Sequence, residues 1–77
     1  MSKTFKIWPK QVIKRNGLTL TPEQEIIIIS PVSHTDPFRL PIANGMQLIV
    51  DAYMKKWGFD YKRAGCGPTD FNYKALD

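Results

Sequence analysis

Residues Trp8 to Leu20, WPKQVIKRNGLTL, admit two foldings, and the choice between them decides the architecture. As a helix, the segment would open on Pro9 and stop at Gly17, the usual placement of those two residues. As a hairpin, Asn16-Gly17 would supply the two positive-φ positions of a type I′ turn, which few residues other than Gly, Asn and Asp adopt. The hairpin register sets Arg15 opposite Leu18, Lys14 opposite Thr19, Ile13 opposite Leu20 and Val12 opposite Thr21. One face then carries Ile13, Leu18 and Leu20, with Arg15 at the tip. The other carries Val12, Lys14, Thr19 and Thr21. Such alternation, with β-favouring threonines, fits a half-buried strand pair. The hairpin is the preferred reading, and it makes a definite demand: Asn16 and Gly17 should both have positive φ.

The helical alternative is also what a family likeness would imply. PKQVIKRNGLTLTPEQEIIII resembles the AbrB/MazE-type swapped-hairpin DNA-binding fold, in which a Pro-Lys-x-Val helix precedes a Gly-Leu turn and a strand. Thr19 and Leu20 are additional to that pattern, and the second half of the chain has no counterpart in it.

Downstream, Thr21-Pro22-Glu23-Gln24 reads as a turn, and Glu25 to Ser30, EIIIIS, as a strand. Its four consecutive β-branched residues predict burial on both faces, hence a central strand or one under an interface. One helix can cover only one face of so small a sheet, so the tail or another molecule would cover the second. Pro31 ends the strand, and VSHTDPFRLP is a loop with two further prolines. A helix is predicted from about Asn44 to Trp57, where Asn44 and Gln47 have capping-box spacing. Met46, Ile49, Val50, Tyr53 and Trp57 form its apolar stripe. Lys55 and Lys56 suit the negative end of its dipole, and Gly58 with Phe59 suits a glycine-capped stop. FDYKR reads as a short fourth strand or an extended segment, and AGCGP as a turn. TDFNYKALD reads as a tail tethered through Phe71 and Tyr73 that frays from about Lys74. The expected architecture is a single α+β domain. Its three-stranded antiparallel meander is built on the Asn16-Gly17 hairpin, with a first strand that could extend back across Pro9 to Phe5 and Ile7 if the chain bends or bulges there, and one helix packs against it.

The chain has 77 residues, 43% hydrophobic and 23% charged, which suits one small globular domain and excludes wholesale disorder. No apolar run is long enough to span a bilayer, and MSKTFK lacks a secretory h-region, so a soluble, cytoplasmic protein without membrane contact is expected. With one cysteine, Cys66, and one histidine, His34, neither an internal disulfide nor a tetrahedral metal site is expected. The seven acids show no EF-hand spacing.

Candidate chemistry is sparse. Cys66 lies in a glycine-flanked loop where Lys62 and Arg63 would favour a thiolate, but no base or oxyanion site accompanies it. His34 in SHTD fits a loop histidine with local hydrogen bonds better than a base paired with Asp36. GCGP lacks both the dinucleotide-binding and the Walker spacing. The sequence therefore predicts no enzyme and no cofactor.

What stands out is basic charge interleaved with aromatics. The net charge is +4, and Lys3, Lys6, Lys10, Lys14 and Arg15 precede the first acid. Lys6, Trp8 and Lys10 alternate. Trp57, Phe59, Tyr61, Lys62 and Arg63 form a second segment, in which Trp57 and Phe59 are better explained by packing. Aromatics that stack on bases beside cations that meet phosphates are how single strands are held without sequence readout. The sequence points to a nucleic-acid-binding module using Lys6, Trp8, Lys10, Lys14, Arg15, Thr19, Tyr61, Lys62 and Arg63, with Trp8, Tyr61 and Tyr73 exposed. A second class also fits: a small protein-binding regulator or inhibitor, of the kind phages and mobile elements encode, acting through the isoleucine strand and the aromatic tail. The same strand could join copies of the chain into a homo-oligomer.

Overall fold

The computed structural model describes residues 3–32, 34–42 and 45–76. Its elements are strands β1 (Lys3–Pro9), β2 (Ile13–Arg15), β3 (Leu18–Leu20) and β4 (Ile26–Ser30), helix α1 (Gly45–Trp57), a single 3₁₀ turn (Pro68–Asp70) and strand β5 (Phe71–Ala75). Among the described residues the fold is α+β, with antiparallel sheets and one α-helix. No helix among the described residues is long and apolar enough to cross a membrane.

The opening segment is a hairpin. Asn16 and Gly17 have φ of 51° and 77°, and the register is Ile13 with Leu20, Lys14 with Thr19 and Arg15 with Leu18. No helix forms over residues 9–15, so the swapped-hairpin likeness does not carry over. Ile13 and Leu20 are buried and Leu18 half-buried, while Lys14 and Thr19 face outward. Pairing stops before Val12 and Thr21, and Val12 is exposed.

The strands assemble differently from a meander. The hairpin β2–β3 pairs only with itself, whereas the larger sheet has the order β4-β1-β5. β1 is therefore the central strand and β4 an edge, the reverse of what the isoleucine run suggested. The physical reason is alternation. Ile26 and Ile28 are buried against the helix side, whereas Ile27 and Ile29 are 54% and 66% exposed. A run of β-branched residues thus hides one buried and one exposed face. The tail does not cover the second face; it forms the other edge as β5, with Phe71 buried and Tyr73 partly exposed.

The core fills the space between the sheet, the hairpin and α1: Phe5 and Ile7 from β1, Ile26 and Ile28 from β4, Ile49 and Tyr53 from α1, and Phe71 from β5. Burying side chains of this size contributes roughly 1.5–3 kcal/mol each. Two helix residues also fasten α1 to the start of β4. The Tyr53 hydroxyl donates to the Gln24 carbonyl at 3.3 Å, and Trp57 Nε1 donates to the Glu25 carbonyl at 2.9 Å. Trp57 therefore stays at the rim, 39% exposed, instead of entering the core. Gly58, at φ 63°, ends the helix as expected; its N–H and that of Phe59 donate to Met54 and Tyr53, and Phe59 packs edge-on to Tyr53. Asn44, expected to cap the helix, lies outside the described residues. At its first residue the helix approaches the preceding loop closely, since a Cβ on Gly45 would lie 3.0 Å from Leu40 Cβ.

FDYKR is neither strand nor tail. Residues 61–65 form a turn, closed by the Ala64 N–H to the Asp60 carbonyl and the Arg63 N–H to Asp60 Oδ1.

Candidate nucleic-acid interface

Helix α1 covers one face of the β4-β1-β5 sheet, and the opposite face is built by the residues of other parity. The β1–β4 register sets Thr4 beside Ile29 and Lys6 beside Ile27. The β1–β5 register sets Lys6 beside Lys74 and Trp8 beside Asn72. Beyond Pro9 the Lys10 N–H donates to the Asp70 carbonyl at 3.0 Å, which carries the same parity on to Lys10. At the other end Leu76, exposed, donates its N–H to the Thr4 carbonyl at 2.9 Å. The predicted alternation of Lys6, Trp8 and Lys10 thus becomes a row along the central strand.

Two cross-strand features shape the electrostatics of this row. Lys6 and Lys74 stand directly opposite each other, a like-charge arrangement that costs stability in a sheet. Lys6 is compensated from the other side by Glu25, 3.1 Å away, and its ammonium lies 5.8 Å from the Trp8 ring centroid. Excess positive charge on the face therefore rests with Lys10 and Lys74, both exposed.

The remaining candidates gather at the hairpin end around Asp70. Arg15 does not project freely from the tip. Its two terminal nitrogens grip the Asp70 carboxylate at 2.9 Å each, and Nη1 also reaches the Gly65 carbonyl at 3.3 Å. This forked hydrogen bond from Arg15 holds the Asp70 carboxyl below the usual carboxylate range, aided by the Gly67 N–H at 3.0 Å and the nearby Lys10 charge. Asn16 Nδ2 donates to the Arg63 carbonyl at 2.6 Å, so the 61–65 turn sits against the hairpin tip. Lys62 and Arg63 are exposed on that turn, and Lys14 and Thr19 on the outward face of the hairpin. Lys14 and Arg15 on the hairpin thus come to the same end of the molecule as Lys62 and Arg63.

Tyr61 is a correction. Predicted as an exposed contact, it is 3% exposed and stacks on Phe71 with centroids 5.5 Å apart. The turn folds it inward, and its hydroxyl is buried with no hydrogen-bond partner among the described residues. Burial also raises its pKa. Cys66 departs from expectation as well. Burial and the Asp70 carboxylate push its thiol pKa up, outweighing the opposite pull of Arg15, so the loop does not favour a thiolate. His34 takes part in local bonding, its Nδ1 accepting the Asp36 N–H at 3.1 Å. Among the described residues there is no enclosed pocket and no cluster of three metal-ligating side chains.

Sequence reasoning missed Asn72, Lys74, Glu25 and Asp70 as parts of this surface. FNYKA did hold a signal: Phe71, Tyr73 and Ala75 alternate with Asn72 and Lys74, as a two-faced strand requires.

A family model described as a family of unknown function (DUF6140) matches residues 1–73. The chain belongs to that family. Its match spans the sheet, hairpin and helix described above and stops inside β5, so the Lys6–Trp8–Lys10 row and the Asp70 node all lie within the DUF6140 region. No curated protein and no solved structure matches the chain.

Proposed function

We propose that this protein binds single-stranded nucleic acid, without catalysis, on the sheet face opposite α1. The observation that carries this reading is the register. It sets Lys6 against Lys74 on an uncovered face, with Trp8 next in the same row and Lys10 beyond it. A like-charge pair is unfavourable for the free protein and favourable for one that meets phosphates there. Trp8, half-buried where the sequence suggested an exposed ring, supplies an indole edge between the cations for contact with a base. Lys14, Arg63 and Lys62 extend the positive field at the hairpin end, whereas Arg15 is committed to Asp70 and acts as a structural tie.

The test is anisotropy of a labelled single-stranded oligonucleotide titrated with protein across a range of salt. Contacts from Lys10 and Lys74, the two cations that carry the excess charge, predict a log–log salt slope of about −1.4, at about 0.7 for each phosphate on a single strand. Lys74→Ala and Lys10→Ala should each reduce the slope by about 0.7 and weaken binding across all sequences alike. Absence of binding at low salt, or a slope untouched by both changes, would remove this reading.

One observation favours the alternative of a protein-binding regulator. Ile27, Ile29 and Leu76 share the same face and are exposed, giving it an apolar side as well as a basic one. A partner protein bound there would be lost on Ile29→Lys and retained on Lys74→Ala.

A further inference from the structure

The two edges of the sheet are not equivalent. β5 carries Lys74 and Asn72 on its exposed side and sits beside the hairpin end. Natural edge strands use such charges, prolines or bulges to prevent pairing with another chain. β4 has none of them. From Ile26 to Ile29 it holds no charge, no proline and no glycine, and among the described residues no strand pairs with its outer edge. The surface around that edge presents apolar side chains on both sides, beside the Lys6–Glu25 pair on one and Lys56 over the Trp57 ring on the other. Ile27 and Ile29 are exposed on one face of the sheet. On the helix side, the Trp57–Glu25 hydrogen bond sets Trp57 beside the start of β4, with Met54 one turn earlier and 47% exposed. Four of the seven exposed large hydrophobics among the described residues thus flank one strand.

From this edge we infer that two copies of the chain pair through β4 in antiparallel fashion, joining two three-stranded sheets into one of six strands. The edge offers unpaired N–H and C=O groups that a further strand can satisfy, and an uncharged, β-branched strand such as β4 itself matches the apolar residues along it. A two-fold axis at Ile28 sets Ile27 of one copy beside Ile29 of the other on the same face, twice over. Charge agrees with this register. The ladder brings no charged residues together, and each Glu25 falls at an outer end, already joined to its own Lys6 at 3.1 Å. A standard interface buries about 800 Å² per partner, about a sixth of the 4785 Å² surface of this chain. The edge together with Ile27, Ile29, Met54 and Trp57 is the apolar surface available to meet it. Pairing also suits a domain near the lower size limit for a self-sufficient core. Oligonucleotide binding is separable from this pairing, because Lys74 lies on β5, across β1 from the paired edge, and Lys10 lies past the end of the β1–β4 ladder.

Sedimentation equilibrium of the full chain tests it, beside Ile27→Lys and Ile29→Lys. Both side chains are exposed, so the variants should keep the wild-type circular dichroism. The expected result is a wild-type dimer and variants whose dissociation constant rises at least tenfold. Hydrogen exchange then identifies the edge: the outward-pointing amides of Ile27 and Ile29 should be protected in the wild type and exchange faster in Ile29→Lys, while those of β5 are unchanged. A wild-type monomer, or a dimer in which β4 protection is the same in the wild type and Ile29→Lys, would overturn the inference.

Discussion

The two faces of the β4-β1-β5 sheet are made by alternate residues of the same strands, yet they obey different rules. On the helix side, Phe5, Ile7, Ile26, Ile28 and Phe71 are removed from water and packed on Ile49 and Tyr53. On the other side, Lys6, Trp8, Ile27, Ile29, Asn72 and Lys74 present a mixed surface that includes two lysines facing each other. The first face is organised for stability. The second keeps a like-charge pair, Lys6 and Lys74, offset on one side by Glu25. Moving one position along β1 crosses from one regime to the other.

The largest expected effect breaks the first face. Phe5→Ala removes a fully buried ring and should cost about 3–5 kcal/mol in urea denaturation, a large part of the stability of so small a domain. A cost below about 1 kcal/mol would mean that the inner face is not the core.

An intermediate effect concerns the hairpin end. The Asp70 carboxyl has a folded pKa below its unfolded value, so its contribution is complete above the unfolded value of about 3.9. That contribution is lost as pH falls through the lower folded value. Amides of Ile13 to Leu20 should then exchange faster in acid, once corrected for intrinsic rates, with little change between pH 5 and 7. Asp70→Asn should show the faster exchange at neutral pH. Equal protection in that variant would mean that the Arg15 tie does not hold the hairpin.

The smallest effect has the opposite sign. Lys74→Thr relieves the charge pair with Lys6 and should raise stability by about 0.2–1 kcal/mol, while weakening oligonucleotide binding. Gain of stability with loss of binding would show that the outer face gives up stability for contact. Loss of both would erase the contrast between the faces.

Local features of this fold were legible in the sequence, and distant ones were not. Asn16-Gly17 and Gly58 announce themselves because each turn requires a φ that few residues accept. The stripe along α1 is similarly self-contained, although Trp57 left the core for a hydrogen bond with the Glu25 carbonyl. Which strands pair depends instead on side chains far apart in sequence. Nothing near Ile26 to Ile29 says that only alternate residues will be buried, and nothing near Lys6 says that Lys74 will face it. The Lys6–Trp8–Lys10 row was readable from alternation, while the inward turn of Tyr61 follows from contacts with Phe71 that no local pattern encodes.

The central position of β1 carries a consequence for assembly. Its neighbours β4 and β5 come from the middle and the far end of the described chain, so the β1–β5 ladder closes the longest loop in the fold. The hairpin and the helix can form from nearby residues within microseconds, but closing the sheet must await a contact of high sequence separation, the slow step in small β-containing domains. Of the three strands of this sheet, β1 is synthesised first and completed last. Until Phe71 to Ala75 leave the ribosome, one side of the central strand remains an open template for pairing with another chain.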